Sequence, residues 1–182
     1  YYVTNDTQTG RGIIPTTQMF KLTSAGTGIT ATTIGTNYFS TTSNIPVVSS
    51  GIYDIEIVVF FAKTTATTAI WNLVFDAAPT SYTVYYEMSP ITGIVAPPGT
   101  AGTMLVGQAY NQTATTYSLT TGTLTTGVNH YAKFKVFLIA GASTTSMKIQ
   151  VYNGASGTIT PGIGSYWKAT RLAPTNTSTY SA

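Results

Sequence analysis

Residues 51–62 read GIYDIEIVVFFA. With the two-residue period of a strand, Tyr53, Ile55, Ile57, Val59 and Phe61 share one face, while Ile52, Asp54, Glu56, Val58 and Phe60 share the other. The first face is apolar throughout. The second begins with two carboxylates and ends with two large apolar groups, so its latter half calls for cover on both sides. The same change recurs in HYAKFKVFLIA, residues 130–140: Phe134, Val136 and Leu138 point one way and Lys133 and Lys135 the other, until Phe137 and Ile139 join the lysine face. In SYWKATRL, residues 165–172, Trp167, Ala169 and Arg171 lie opposite Tyr166, Lys168, Thr170 and Leu172, so each face again carries a large ring. A lone sandwich has little with which to cover an outer sheet face, and contiguous exposed apolar patches mark interfaces. Val58, Phe60, Phe137, Ile139, Tyr166 and Trp167 are therefore expected at a contact between subunits.

Further short runs with strand character lie at 16–22, 69–75, 82–88, 102–110, 115–119 and 146–152. Turn formers separate the successive runs, in APTS, PPGTAG, TTGTLTTG, AGAS, NGASG and TPGIG. Eight or more short strands with this punctuation predict an all-β chain, an antiparallel two-sheet jelly-roll sandwich. Residues 15–173 are expected to form the domain. Residues 1–14 have no sustained period and read as an arm that orders against a neighbour, and residues 174–182 as a tail.

Composition agrees with this reading. Thr occurs 38 times, aromatics reach 12% and charged residues only 7%, a balance that favours strands over helices. With 182 residues and 43% hydrophobic content, the chain can build one sizeable core. Its eight basic residues are scattered, too sparse for a nucleic-acid surface. No cysteine is present, so stability rests on packing or association rather than on disulfides. The longest apolar stretch, IEIVVFFA, carries Glu56 and falls far short of the roughly 20 residues that span a bilayer, so no membrane partner is expected. The first residue is not Met, which suggests a processed product or a piece of something longer.

The segments MFKL, GIYDIEIVVFFAKTTATTAIWNLVF, HYAKFKVFLIAG and the closing MKIQVYNGASGTITPGIGSYWKATRLA together resemble the jelly-roll domains of tailed-bacteriophage virion proteins. Those domains are similar to the trimeric jelly rolls of the tumour necrosis factor and complement type. The resemblance implies a homotrimer packed around a threefold axis, located on the virion surface as a capsid-decorating or cement protein or as part of a tail fibre. Its partners would be copies of itself and major capsid or tail proteins. No enzymatic activity and no cofactor are implied.

Candidate chemistry is sparse. Asp54 and Glu56 have the spacing of a carboxylate pair but read better as a solvated strand end. His130 is the only histidine and has no acidic residue nearer in sequence than Glu87, which argues against a metal site. No serine lies in a nucleophile elbow, and the glycine-bearing turns have no phosphate-loop lysine. Asn5, Asn111 and Asn176 begin glycosylation sequons, close to the number chance supplies. Tyr82, Tyr85, Tyr86, Tyr110 and Tyr117 are the rings that could stack on a host surface glycan. A third reading is a cellular surface or pilus subunit whose arm completes a neighbour's sheet.

Overall fold

Alternation of apolar and polar side chains builds this molecule almost unaided. The computed structural model describes residues 16–33, 35–39, 44–91 and 105–173, which form strands and connecting loops with no helix. In chain order the strands are β1 (Thr16–Lys21), β2 (Thr36–Asn37), β3 (Ile45–Pro46), β4 (Ile52–Lys63), β5 (Ala69–Phe75) and β6 (Ser81–Ile91). They continue with β7 (Leu105–Gln112), β8 (Thr116–Thr120), β9 (Asn129–Ile139), β10 (Ser146–Asn153), β11 (Ile159–Pro161) and β12 (Tyr166–Ala173). The expected arm and tail lie outside the described residues.

All pairings between strands are antiparallel. One sheet runs β1-β12-β4-β9-β6-β7, with β11 on the same edge of β4 as β12. The other runs β2-β10-β5-β8, with β3 on the same edge of β10 as β2. Without β6 and β7, four strand positions face four: β1, β12, β4 and β9 opposite β2/β3, β10, β5 and β8. Connections that alternate between two sheets in this order make a jelly roll. The β6–β7 hairpin is inserted between β5 and β8 and widens the larger sheet beyond β9.

The core fills the gap between the sheets. Trp71 on β5 is its centre, with the rings of Tyr38, Phe61 and Phe134 at 5.6, 5.1 and 5.8 Å. The inner face of β4 is buried along its whole length, as its alternation predicts: Tyr53, Ile55, Ile57, Val59 and Phe61. From β9, Ala132, Phe134, Val136 and Leu138 meet the same core. Rings of this size each remove enough area from water that truncation to Ala costs about 3–5 kcal/mol.

Candidate functional site

The outer face of the larger sheet collects most of the charge in a charge-poor chain. Strand register sets its rows. One row reads Met19, Lys168, Glu56, Lys135, Tyr85, Gln108, and the next Lys21, Tyr166, Val58, Lys133, Glu87, Val106. Lys133 reaches diagonally to Glu56 at 3.1 Å and Lys135 to Asp54 at 3.5 Å. The Tyr166 hydroxyl donates to Glu56 at 2.6 Å, and that of Tyr131 to Glu87 at 2.7 Å. The bond from Tyr166 is the main reason the Glu56 carboxyl sits below its ordinary pKa, and the same bond pushes Tyr166 up to about 12. Asp54 and Glu56 are thus tied to lysines, the partly solvated strand end expected from the sequence.

At the β6–β7 side this face changes character. Tyr85, Val106 and Tyr110 are exposed there, and with Phe137 on β9 and Leu172 on β12 they surround two adjoining shallow depressions that share Tyr85 and Lys135. The rings of Tyr85 and Tyr110 meet edge to face at 6.1 Å. The Tyr110 hydroxyl donates to Gln108 Oε1 at 2.9 Å, which holds that ring along β7.

Several expected positions need correction. Trp167 is only 6% exposed, faces the inter-sheet core and stacks on Phe20 at 6.4 Å, so this chain already covers it. Val58 is 5% exposed because Tyr166 and Lys133 flank it in register. Phe60 is part-covered by the Tyr131 ring at 5.8 Å and by the turn at Gly162 and Gly164. The apolar end of the outer face of β4 is therefore covered largely from within the same chain, contrary to the expectation that a lone subunit could not do so. Ile139 and Tyr166 are half-buried, and only Phe137 of the expected set stands exposed, at 43%.

The tyrosines divide likewise. Tyr82 is 1% exposed and belongs to the core, so no glycan can reach it. Tyr86 and Tyr117 pack against the same core. Burial, with Tyr86 as neighbour, pushes the Tyr117 hydroxyl up to about 12. Gly107 opposes Tyr86 in register, and a Cβ there would collide with the Tyr86 hydroxyl. Tyr85 and Tyr110 remain at the surface and lie together. His130 is buried, its ring stacked on Phe61 at 5.2 Å and its Nε2 2.8 Å from the Thr125 carbonyl, and burial lowers its pKa. Among the described residues no three His, Asp or Glu side chains gather as a metal site. Asn111 is exposed at a left-handed position, φ 48°, where β7 bulges against β6.

Two buried polar groupings escaped the sequence. Lys63, 2% exposed, donates to Asn153 Oδ1 at 2.6 Å and to the Thr68 carbonyl at 3.2 Å, with no carboxylate partner among the described residues. Burial lowers its pKa. Asn153 Nδ2 in turn donates to the carbonyls of Ile29 and Gly157 at 3.1 and 3.0 Å. The second grouping fills the break between β11 and β12. There the Tyr38 hydroxyl donates to the Phe60 carbonyl and accepts from Gly162 N–H at 3.2 Å, while Ser165 Oγ accepts from Phe60 N–H at 2.9 Å and donates to the Gly162 carbonyl at 2.8 Å. Burial pushes Tyr38 up to about 12. The even spacing of Lys63 along β4 placed it on the inner face, but its acceptors come from distant loops and strands.

No protein family matches the chain, and no curated protein matches it. Among solved structures, the Eiger TNF from S. frugiperda is 10% identical, with a TM-score of 0.40, over 92% of this chain and 99% of that one. A chain of the infectious bursal disease virus Gt strain is 7% identical, with a TM-score of 0.24, over 87% of this chain and 38% of that one. The corresponding Gx strain chain is 12% identical, with a TM-score of 0.23, over 86% and 39%. These likenesses are loose. The jelly-roll assignment rests on the strand order of the chain itself.

Proposed function

We propose that this chain is a non-enzymatic structural protein of a tailed-phage virion, a homotrimeric jelly roll on the particle surface that decorates the capsid or forms part of a tail fibre. The observation that carries the self-association is the set of exposed non-polar side chains on the outer face of the larger sheet, from β12 across to β7: Leu172, Phe137, Tyr85, Val106 and Tyr110. Large non-polar side chains gathered on one face of a sheet mark an interaction surface. Burying it symmetrically against two other copies would hold the trimer, and the trimer would then bridge the major subunits of the particle. The virion setting comes from the sequence resemblance. Native mass spectrometry tests the association: the expected species contains three chains of 19.2 kDa each, and a monomer at micromolar concentration sinks the reading. Antibodies against the chain are expected to label the outside of intact particles.

One observation favours a second reading. Tyr85 and Tyr110 present an edge-to-face ring pair beside Lys135 and Gln108, an arrangement suited to stacking on a sugar while polar groups bond its hydroxyls. A glycan array separates the readings. Saturable binding that is lost in Tyr85→Ala and Tyr110→Ala supports recognition, and absence of binding leaves the scaffold role.

A further inference from the structure

The two lateral sides of the sandwich are protected very differently against strand addition. On one side the sheets end in β1, which closes with Lys21, and in β2 and β3, which have two residues each and include Pro46. Short strands, proline and lysine are the usual means by which proteins blunt an open sheet edge. On the other side the sheets end in β7, eight residues long, and β8, five residues long. Neither contains proline or a charge, and the chain carries no Asp, Glu, Lys or Arg anywhere between Glu87 and Lys133. The bulge opposite Tyr82 and Val84 interrupts only the far end of β7 and leaves Leu105–Ala109 in regular register with β6. Val106 and Tyr110 on this strand are 64% and 57% exposed. Among the described residues nothing pairs with the outer side of β7, and such an edge is a template for one more strand.

The chain also has a strand to give. Residues 1–14 precede β1, open with Tyr1, Tyr2, Val3 and Thr4, all strand formers, and carry only Asp6 and Arg11 as charges. Fully extended they reach roughly 45 Å. β1, the first described strand, lies at one edge of the larger sheet and β7 at the other, five strand spacings or roughly 24 Å away. A donor at one lateral edge and an acceptor at the opposite one describe a head-to-tail contact, which makes a ring where the rotation closes and a filament where it does not.

We propose that residues 1–14 of one copy add to β7 of the next as an extra strand of the larger sheet, so that three arms lock the trimer in a closed cycle. This rests on the proposed self-association. Backbone hydrogen bonds along Leu105–Ala109 supply the affinity, and the outward Val106 and Tyr110 supply side-chain contacts on the outer face.

The absence of native cysteine makes a direct test possible. Gln108→Cys in β7 is combined in turn with Tyr2→Cys, Thr4→Cys or Asp6→Cys, and each double variant is oxidised and run on a denaturing gel. A disulfide forms only where two Cα atoms come within about 7 Å. At least one pair is expected to give reducible dimer and trimer bands, and Ser118→Cys on β8 with the same arm positions none. Deletion of residues 1–14 is expected to reduce the native mass threefold with an unchanged far-ultraviolet spectrum. A wild-type trimer whose arm cysteines never link to Cys at position 108, or link only within one chain, overturns the arm-to-β7 contact and leaves the trimer standing. A trimer that survives deletion of the arm does the same. A wild-type protein that is a monomer overturns both proposals.

Discussion

Two polar regions of this molecule use the same side-chain types with opposite energetics. On the outer face of the larger sheet, Lys133 and Lys135 each find a carboxylate, yet their side chains are 35% and 57% exposed and water screens both pairs. Between the sheets, Lys63 has two neutral oxygens and, among the described residues, no counter-charge, and it is 2% exposed. The paired lysines are the less consequential ones. What decides the cost of losing a contact is whether water can replace the missing partner.

The contrast is sharpest at Asn153. Asn153→Ala removes the better acceptor of Lys63 and the side-chain donor to the Gly157 carbonyl, so a loss of about 3 kcal/mol or more is expected in urea unfolding. Lys63→Met, which removes the buried cation along with its bonds, is expected to cost less than Asn153→Ala. The reverse order would break the comparison. Next comes Ser165→Ala, expected to cost about 1–3 kcal/mol, since it strands the buried Phe60 N–H. Combined with Tyr38→Phe, it should cost less than the sum of the two single changes, because both act in one hydrogen-bonded grouping.

A smaller effect is expected from pH. Burial lowers the pKa of His130 below its ordinary 6.5, so on acidification the unfolded chain takes up that proton before the folded one does. Its contribution is complete above that value and is lost as pH falls below it. The urea midpoint should therefore decline between about pH 7 and about pH 5, with a shallower slope in His130→Phe. Glu56, and Asp76 after β5, whose carboxylate accepts from Thr145 and Ser146 and is lowered by those bonds, add their losses only at more acidic pH, from their ordinary range downward. Smallest of all is Lys133→Ala on the outer face, expected to shift stability by less than about 1 kcal/mol. A larger loss there would mean that the face is shielded from water in the protein as purified, and would itself point to association.

The long strands were legible because their inner faces are apolar at a two-residue period except near the ends, at Lys63, His130 and Asn153: β4, β5, β9 and β10 follow the runs read from the sequence within a residue or two. The short β2, β3 and β11 were not, since two or three residues carry no period and their pairing is set by the strand beside them. Periodicity also placed Trp167 and Tyr166 on opposite faces, but not which face looked inward. Phe20, paired with Trp167 across β1 and β12, decides that question, and this pairing joins residues far apart in the chain. For the candidate surface, composition suggested five tyrosines. Only register separates Tyr85 and Tyr110, which lie outside, from Tyr82, which lies within. Exposure belongs to the assembled sheet and cannot be computed strand by strand.

The position of β9 has a consequence for synthesis. It lies between β4 and β6, so β4 meets no sheet neighbour, and β6 none but β7, until residue 139 has been made. About 75 residues separate the end of β4 from that point, and at typical translation speeds of about 5–20 residues per second the nascent chain trails an unpaired Ile55, Ile57, Val59 and Phe61 for roughly 4–15 s. During that interval the ribosome-bound chain is open to capture by chaperones or by its twin on a neighbouring ribosome.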